Sequence, residues 1–206
     1  MKTGKFPHLH ELFRVQVGSA RYGLLTDSSD RDCFILTQED NMQIYDPSED
    51  TAYFIWPYRM LNRFWGHPLL LGNLTGDCTG NGQICSFFQA HKREISYAAP
   101  ECTALFGLDY IAAGEQCGYI SPIKAGLRTA MILSHMAAHA EDPFLLSEEE
   151  KSILIRSRTG GVSLEERVDI YRRTICPENL DRLMRMPDHP TIKNELFQLI
   201  EEVIAS

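Results

Sequence analysis

The composition of this 206-residue chain excludes several classes of protein before any motif is considered. Hydrophobic residues make up 44 % and charged residues 23 %, which are ordinary globular values, so wholesale disorder is excluded. The 20 Lys and Arg residues against 28 Asp and Glu residues give a net charge of -8. An acidic chain is a poor general binder of nucleic acid, because neutralising phosphates needs a basic surface.

The sequence shows no segment that would direct the chain into a membrane or out of the cell. No apolar run approaches the roughly 18 residues that cross a bilayer. The start, MKTGKFPHLHELF, lacks the apolar stretch of a secretory signal. Six cysteines without a C-x-x-C pair argue against structural zinc and are typical of a reducing compartment. We therefore expect a cytoplasmic protein that makes no membrane contact.

The first part of the chain is predicted to form strands. Short apolar runs flank a polar turn within residues 12–37, and residues 51–56 form a third strand candidate. Pro57 then suits the first turn of a helix that runs to about Trp65. Residues 72–85 are rich in Gly, Thr and Asn, and their glycine spacing fits no phosphate-binding fingerprint. A plain surface loop is expected there.

From residue 121 onward the sequence has clear helix signals. Ser121 and Pro122 form an N-cap followed by proline, ahead of a long helix. Two capping boxes begin further helices: Ser147 with Glu150, and Ser163 with Glu166. A final helix is expected over about residues 191–205. The order predicts an α+β fold, with a small mixed sheet and helices in residues 1–120 and a helical region in residues 121–206 that packs on it.

The densest chemical signal lies between Gly18 and Asp32, in the stretch GSARYGLLTDSSDRD. Asp30 and Asp32 are two residues apart, so on a strand their carboxylates share a face and repel each other unless a cation lies between them. Mg²⁺ or Mn²⁺ would suit such oxygen ligands. The turn at Gly18 and Ser19 offers backbone amides and a hydroxyl to a triphosphate. These are parts of a metal-assisted phosphoryl-transfer site. The alternative is a hairpin whose aspartates are solvated turn residues.

The pattern Gly-Ser followed by Asp-x-Asp resembles the polymerase-β-like nucleotidyltransferase superfamily. The fuller stretch GSARYGLLTDSSDRDCFIL is similar to the YcgL-type predicted nucleotidyltransferases of bacteria and phages. The resemblance extends loosely through the strand after Asp50 and the segment 66–68 to the C-terminal helices. One departure is that Ala20 precedes Arg21, whereas in that branch arginine directly follows Gly-Ser.

The resemblance implies a Mg²⁺- or Mn²⁺-dependent enzyme that transfers a nucleoside monophosphate from an NTP to an acceptor hydroxyl and releases pyrophosphate. ATP is the favoured NTP, and the acceptor is a small molecule, a protein side chain or an RNA end. Gly18 and Ser19 would hold the β- and γ-phosphates, and Asp30 and Asp32 would bind the metal ions. The alternative function is a catalytically weak nucleotidyltransferase-like module that binds nucleotide or a partner protein as a regulator.

Further site residues follow from the same resemblance. Asp50 would be the third metal-binding and catalytic acid, because it opens the matching strand, and Glu49 and Asp46 are the alternatives. Apart from the resemblance, Arg21 lies within the loop, where its guanidinium could contact a phosphate in bidentate fashion, the alternative being a solvent-facing turn residue. The helix that begins at Ser121 has two cations four residues apart that would face the nucleotide phosphates: Lys124 and Arg128.

Overall fold

The computed structural model describes residues 6, 8–25, 29, 31–65, 68–96, 120–158, 161–174, 177–184 and 190–206. Asp30 and the pair Gly66-His67 of the motif resemblance lie outside the described residues, as does the side chain of Lys124.

All five described strands and four short helices lie in the first half of the chain, and helices alone occupy the described part of the second half. The strands are β1 (Glu11–Val17), β2 (Arg31–Thr37), β3 (Met42–Asp46), β4 (Thr51–Pro57) and β5 (Cys78–Gly80). The helices before residue 100 are α1 (Met60–Phe64), α2 (Pro68–Asn73), α3 (Gly82–Ala90) and α4 (Lys92–Ser96). Those after it are α5 (Ile120–Ala137), α6 (Glu148–Arg158), α7 (Leu164–Thr174), α8 (Pro177–Met184) and α9 (Pro190–Ala205).

The strands form one mixed sheet in the order β3-β4-β2-β1-β5. The central strand β2 is antiparallel to β1 and parallel to β4, while β3 and β5 form the two antiparallel edges. The sheet and its helices confirm the predicted α+β class. No described helix is long and apolar enough to cross a bilayer.

One face of the sheet packs into the larger hydrophobic core. Phe13 and Val15 alternate along β1 and are almost fully buried, because successive strand side chains point to opposite faces. The opposite partners on β2, Leu36 and Phe34, are buried in the same cluster. The last helix, α9, closes this core through Leu196 and Ile200, so the C-terminal end of the chain packs against the N-terminal sheet.

A second core joins the helices α5–α8 to the turn that follows β1. Tyr22 and Leu24 of that turn are buried with Leu127 and Phe144, and with residues of α6 and α8. The turn between β1 and β2 is therefore anchored in the helical region. This anchoring determines where the Gly18–Asp32 segment lies.

The prediction of a plain surface loop over residues 72–85 was wrong. The segment contains the end of α2, all of β5 and the start of α3. β5 is held by pairing with Phe13–Val15 of β1, which lies more than sixty residues away in sequence. A local sequence pattern cannot indicate a pairing over such a distance. The side chain of Asn81 caps α3 by accepting hydrogen bonds from the N–H groups of Gln83 and Ile84.

Other boundaries were predicted with mixed success. Pro57 closes β4, and the helix expected to begin there starts at Met60. The Ser147 capping box is reciprocal, since its N–H donates to Glu150 Oε2 at 2.8 Å and its Oγ accepts from the Glu150 N–H at 3.3 Å. Ser163 Oγ likewise accepts from the N–H of Glu166.

Candidate functional site

A polar cleft of about 620 Å³ lies beside the sheet, in the size range of small-molecule sites. Strands β1, β2 and β4 contribute to it, together with the turn after β1, the segment around β5, and helices α3 and α4. Among the described residues, four cationic ones line it: Arg14, Arg21, Arg31 and Lys92. Four acidic residues of the same described set also belong to its lining: Asp32, Glu49, Asp77 and Asp142. The cleft is therefore rich in charges of both signs.

The turn that follows β1 brings Gly18 against Asp32. Val17, the last residue of β1, lies opposite Asp32 on β2. Gly18 has a positive φ of 62°, a conformation that residues with a side chain rarely adopt. A Cβ on Gly18 would collide with the Asp32 carboxylate. The missing side chain thus allows the backbone of the turn to lie directly against that carboxylate.

Backbone hydrogen bonds fix the rest of this turn. The Leu24 N–H donates to the carbonyl of Ser19 at 2.8 Å, and the Arg21 N–H donates to the carbonyl of Gly18 at 3.2 Å. Ala20 and Arg21 belong to the cleft lining, whereas Gly18 and Ser19 do not. The predicted Gly-Ser turn and Asp32 are thus neighbours in space, and Asp30 lies outside the described residues.

The start of β4 lies beside the start of β2, where the Arg31 N–H donates to the carbonyl of Asp50 at 2.9 Å. The Asp50 carboxylate itself is exposed, accepts a hydrogen bond from the hydroxyl of Tyr45 and does not line the cleft. Glu49 does line the cleft, and its Oε2 accepts a hydrogen bond from the Tyr53 hydroxyl at 2.8 Å.

The third acid considered, Asp46, has a local role. Its Oδ1 accepts hydrogen bonds from the N–H and hydroxyl of Ser48, at 2.8 and 2.6 Å, within the turn between β3 and β4. Of the three acids that the sequence left open, Glu49 is therefore the one that the structure places in the same cleft as Asp32.

The donor set of the cleft suits a hard cation. Among the described residues, no group of three or more His, Cys, Asp and Glu side chains is arranged to hold a metal ion. However, Mg²⁺ usually takes only one or two protein carboxylates and completes its coordination with water and substrate phosphates. Asp32 and Glu49 are both residues of the cleft lining, and each carries carboxylate oxygens of the kind that such a cation binds. The residues present thus fit Mg²⁺ or Mn²⁺ in ligand type.

Arg21 is held firmly in the cleft wall. Its Nη2 donates to both carboxylate oxygens of Asp142, at 3.0 and 3.2 Å, and its Nε donates to the carbonyl of Gly72 at 3.4 Å. The guanidinium also lies over the ring of Phe144, with 5.2 Å to the centroid. Only 8 % of the Arg21 side chain is exposed. The Arg21 guanidinium, which was predicted to contact a phosphate, thus already has hydrogen-bond partners within the protein.

Asp142 is the cleft residue that sequence reasoning missed most clearly. Lys92 Nζ lies 2.6 Å from its Oδ2, and the Phe144 N–H donates to its Oδ1 at 3.0 Å. Burial alone would raise the pKa of Asp142, but the hydrogen bonds from Lys92 and Arg21 outweigh this effect and hold the pKa below its ordinary value. An Asp-Pro dipeptide such as Asp142-Pro143 is typical of a turn. Nothing local indicated an arginine 121 positions away.

The pH dependence of stability tests the ion pairs of Asp142. Because its folded-state pKa lies below the unfolded value of about 3.9, the carboxylate stabilises the fold fully above that pH. The contribution is lost as the pH falls through the folded-state pKa. We expect the free energy of unfolding of the wild type to fall towards that of Asp142→Asn as the pH falls below about 4. Parallel curves for the two proteins below that pH would contradict the ion pairing.

Of the two cations predicted on the long helix, the described one, Arg128, does not line the cleft. The Arg128 guanidinium lies over the ring of Tyr22, 4.4 Å from its centroid, on the side of the turn that faces the helical core. Lys124 belongs to α5, but its side chain lies outside the described residues. Arg128 therefore supports the turn through Tyr22 in this structure.

Three further cleft cations were also missed by sequence reasoning: Arg14, Arg31 and Lys92. Arg14 alternates with the buried Phe13 and Val15 on β1, so the strand pattern could have placed it on the opposite face. Its Nη2 pairs with Glu11 at 2.6 Å. Arg31 is exposed, and no ion-pair partner for it is found among the described residues.

Comparison with known proteins adds no assignment, since no protein-family model matches the chain and no curated protein matches it.

Proposed function

We propose that this protein is a metal-dependent nucleotidyltransferase, which moves a nucleoside monophosphate from an NTP to an acceptor hydroxyl and releases pyrophosphate. The observation that supports this most is the contact between the Gly18 backbone and the Asp32 carboxylate beside a cleft lined by four cations. A glycine turn against a carboxylate allows the phosphates of a nucleotide to approach that carboxylate without a side chain between them.

The proposal gives four of the cleft residues a physical task. Asp32 and Glu49 would hold Mg²⁺, which when bound offsets charge on the phosphates. Arg31, exposed at the start of β2, would attract the polyphosphate electrostatically. The Tyr53 hydroxyl donates a hydrogen bond to the Glu49 carboxylate, and that carboxylate would accept the proton of the acceptor hydroxyl.

The partners follow from this chemistry. ATP is the first NTP to test, and the acceptor is proposed to be a small molecule, a protein side chain or an RNA end. The net charge of -8 makes long nucleic acid the least suitable of these acceptors. A cytoplasmic location remains a prediction.

The direct test is pyrophosphate release from each of the four NTPs with Mg²⁺, alone and with candidate acceptors. We expect Asp32→Asn to lower turnover by at least about a hundredfold, because the lost charge acts in a partly water-excluded cleft. Asp77→Asn is the matched control, since it removes one negative charge from the same cleft. We expect that variant to stay within a few-fold of the wild type.

The outcomes separate the two functions considered. Release by the wild type that is absent in Asp32→Asn supports the transferase. Stabilisation of the wild type by nucleotide without turnover favours the regulatory module, since a ligand of the folded state raises the melting temperature. Neither release nor stabilisation would contradict both functions.

A further inference from the structure

Asp142 makes contacts of the kind that a bound phosphate would make. One carboxylate accepts hydrogen bonds from the guanidinium of Arg21 and the ammonium of Lys92, with N–O distances of 2.6 to 3.2 Å. Charge-assisted contacts of this length are typical of phosphate recognition by arginine and lysine. The two cations belong to the turn after β1 and to α4, and the carboxylate belongs to the segment between α5 and α6.

The charges and the exposure of this cluster favour an exchange of anions. Two cations face one carboxylate, so the cluster keeps a net positive charge in the wall of the cleft. Lys92 has 30 % of its side chain exposed and is open to a ligand, whereas Arg21 has only 8 % exposed. Because the Asp142 carboxylate covers Nη2 of Arg21, an anion can contact that atom only in place of the carboxylate.

We propose that Arg21 and Lys92 form a subsite for a phosphate group of a polyphosphate, and that the Asp142 carboxylate occupies this subsite in the ligand-free protein. Asp142 is then an autoinhibitory contact, which the phosphate displaces. Within the proposed function, on which the identity of the ligand rests, the subsite holds the end of the NTP that leaves as pyrophosphate.

The surrounding packing restricts the exchange to a side-chain movement. The ring of Phe144 lies so close to Gly72 that a Cβ there would overlap it, and this ring is fully buried. The backbone beside Asp142 is thereby held in place. Rotation of the two Asp142 dihedral angles removes the carboxylate from Arg21 and Lys92 without moving that ring. A phosphate then replaces the lost acceptors with more oxygens and more negative charge.

The test measures binding of inorganic tripolyphosphate by calorimetry, without a divalent metal and without an acceptor, so that turnover is not required. We expect Asp142→Ala to bind tripolyphosphate about tenfold more tightly than the wild type, because the competing carboxylate is gone. We expect Lys92→Gln to bind it several-fold more weakly. Asp77→Asn, with the same loss of one cleft carboxylate but no contact to these two cations, controls for the general change of charge.

Each outcome decides the proposal. Weaker binding by Asp142→Ala would mean that Asp142 positions the cations, and binding no tighter than that of Asp77→Asn would mean that only net charge matters. Either result overturns the proposal, as does the absence of binding in all variants. If the alanine variant does not fold, Asp142→Asn, whose side chain is equal in size to the native one, replaces it in the measurement. We expect this variant also to bind tripolyphosphate more tightly than the wild type. Tighter binding of tripolyphosphate by Asp142→Ala, together with no NTP turnover by the wild type, would support the phosphate subsite and contradict the proposed transferase activity.

Discussion

Replacement of Phe144 by alanine is expected to lower the free energy of unfolding by about 3–5 kcal/mol, the usual cost of removing a large buried ring. Phe144 is fully buried in the helical core and stacks on Tyr22, with 6.2 Å between ring centroids. Its ring also fills the space above Gly72. The variant should therefore lose stability and also release the turn that follows β1. Urea denaturation of the wild type and the variant measures the first effect.

The neighbouring Leu145 provides the control for this substitution. Its side chain is 67 % exposed, so Leu145→Ala should change stability by no more than about 0.5 kcal/mol. A loss of similar size in both variants would show that the segment between α5 and α6 is sensitive to any truncation. That result would contradict the role of the Phe144 ring.

Replacement of Gly18 by alanine is expected to abolish turnover and to destabilise the fold at the same time. The positive φ of 62° costs an L-residue about 1–2 kcal/mol. The added methyl group would also push the Asp32 carboxylate from its position. Since Asp32 is proposed to bind the metal, we expect pyrophosphate release to fall by at least about a hundredfold.

Gly23→Ala separates these two effects. Gly23 also has a positive φ, of 66°, so its substitution produces the same kind of backbone strain. A Cβ there would meet only the end of the Lys151 side chain, with Cε at 3.1 Å, which can move. We expect Gly23→Ala to lose stability but to keep most of its turnover. Equal turnover in the two variants would contradict the proposed contact between Gly18 and Asp32.

Several elements could be predicted because their signals are local. The strands around the Gly18 turn contain short apolar runs bounded by Gly, Ser and Asp, and the Ser147 capping box requires only residues three positions apart. The long helix α5 and the final helix α9 were likewise indicated by caps and periodicity. The edge strands β3 and β5 were missed, since five or three residues cannot show a period and their pairing partners decide their conformation.

The candidate site likewise combines features that the sequence predicted with features that it did not. The spacing between Gly18 and Asp32 was visible in the sequence, because both residues flank one turn of a hairpin. Glu49 lines the cleft, whereas Asp50 has a left-handed φ of 48° and its carboxylate accepts a hydrogen bond from Tyr45 outside the cleft lining. Aspartate is enriched in this backbone region, but that preference does not specify which acid of the turn lines a cleft.

The sequence by itself determined the α+β class, the helical C-terminal half and the Gly-Ser turn beside Asp32, because short-range hydrogen bonding and hydrophobic periodicity specify such features. Only the tertiary structure decided that Arg21, Lys92 and Asp142 meet in one cleft wall. These three residues lie far apart in the chain, and the packing of a helical core around Tyr22 and Phe144 brings them together. Long-range contacts of this kind depend on how complete elements pack, which no local pattern records.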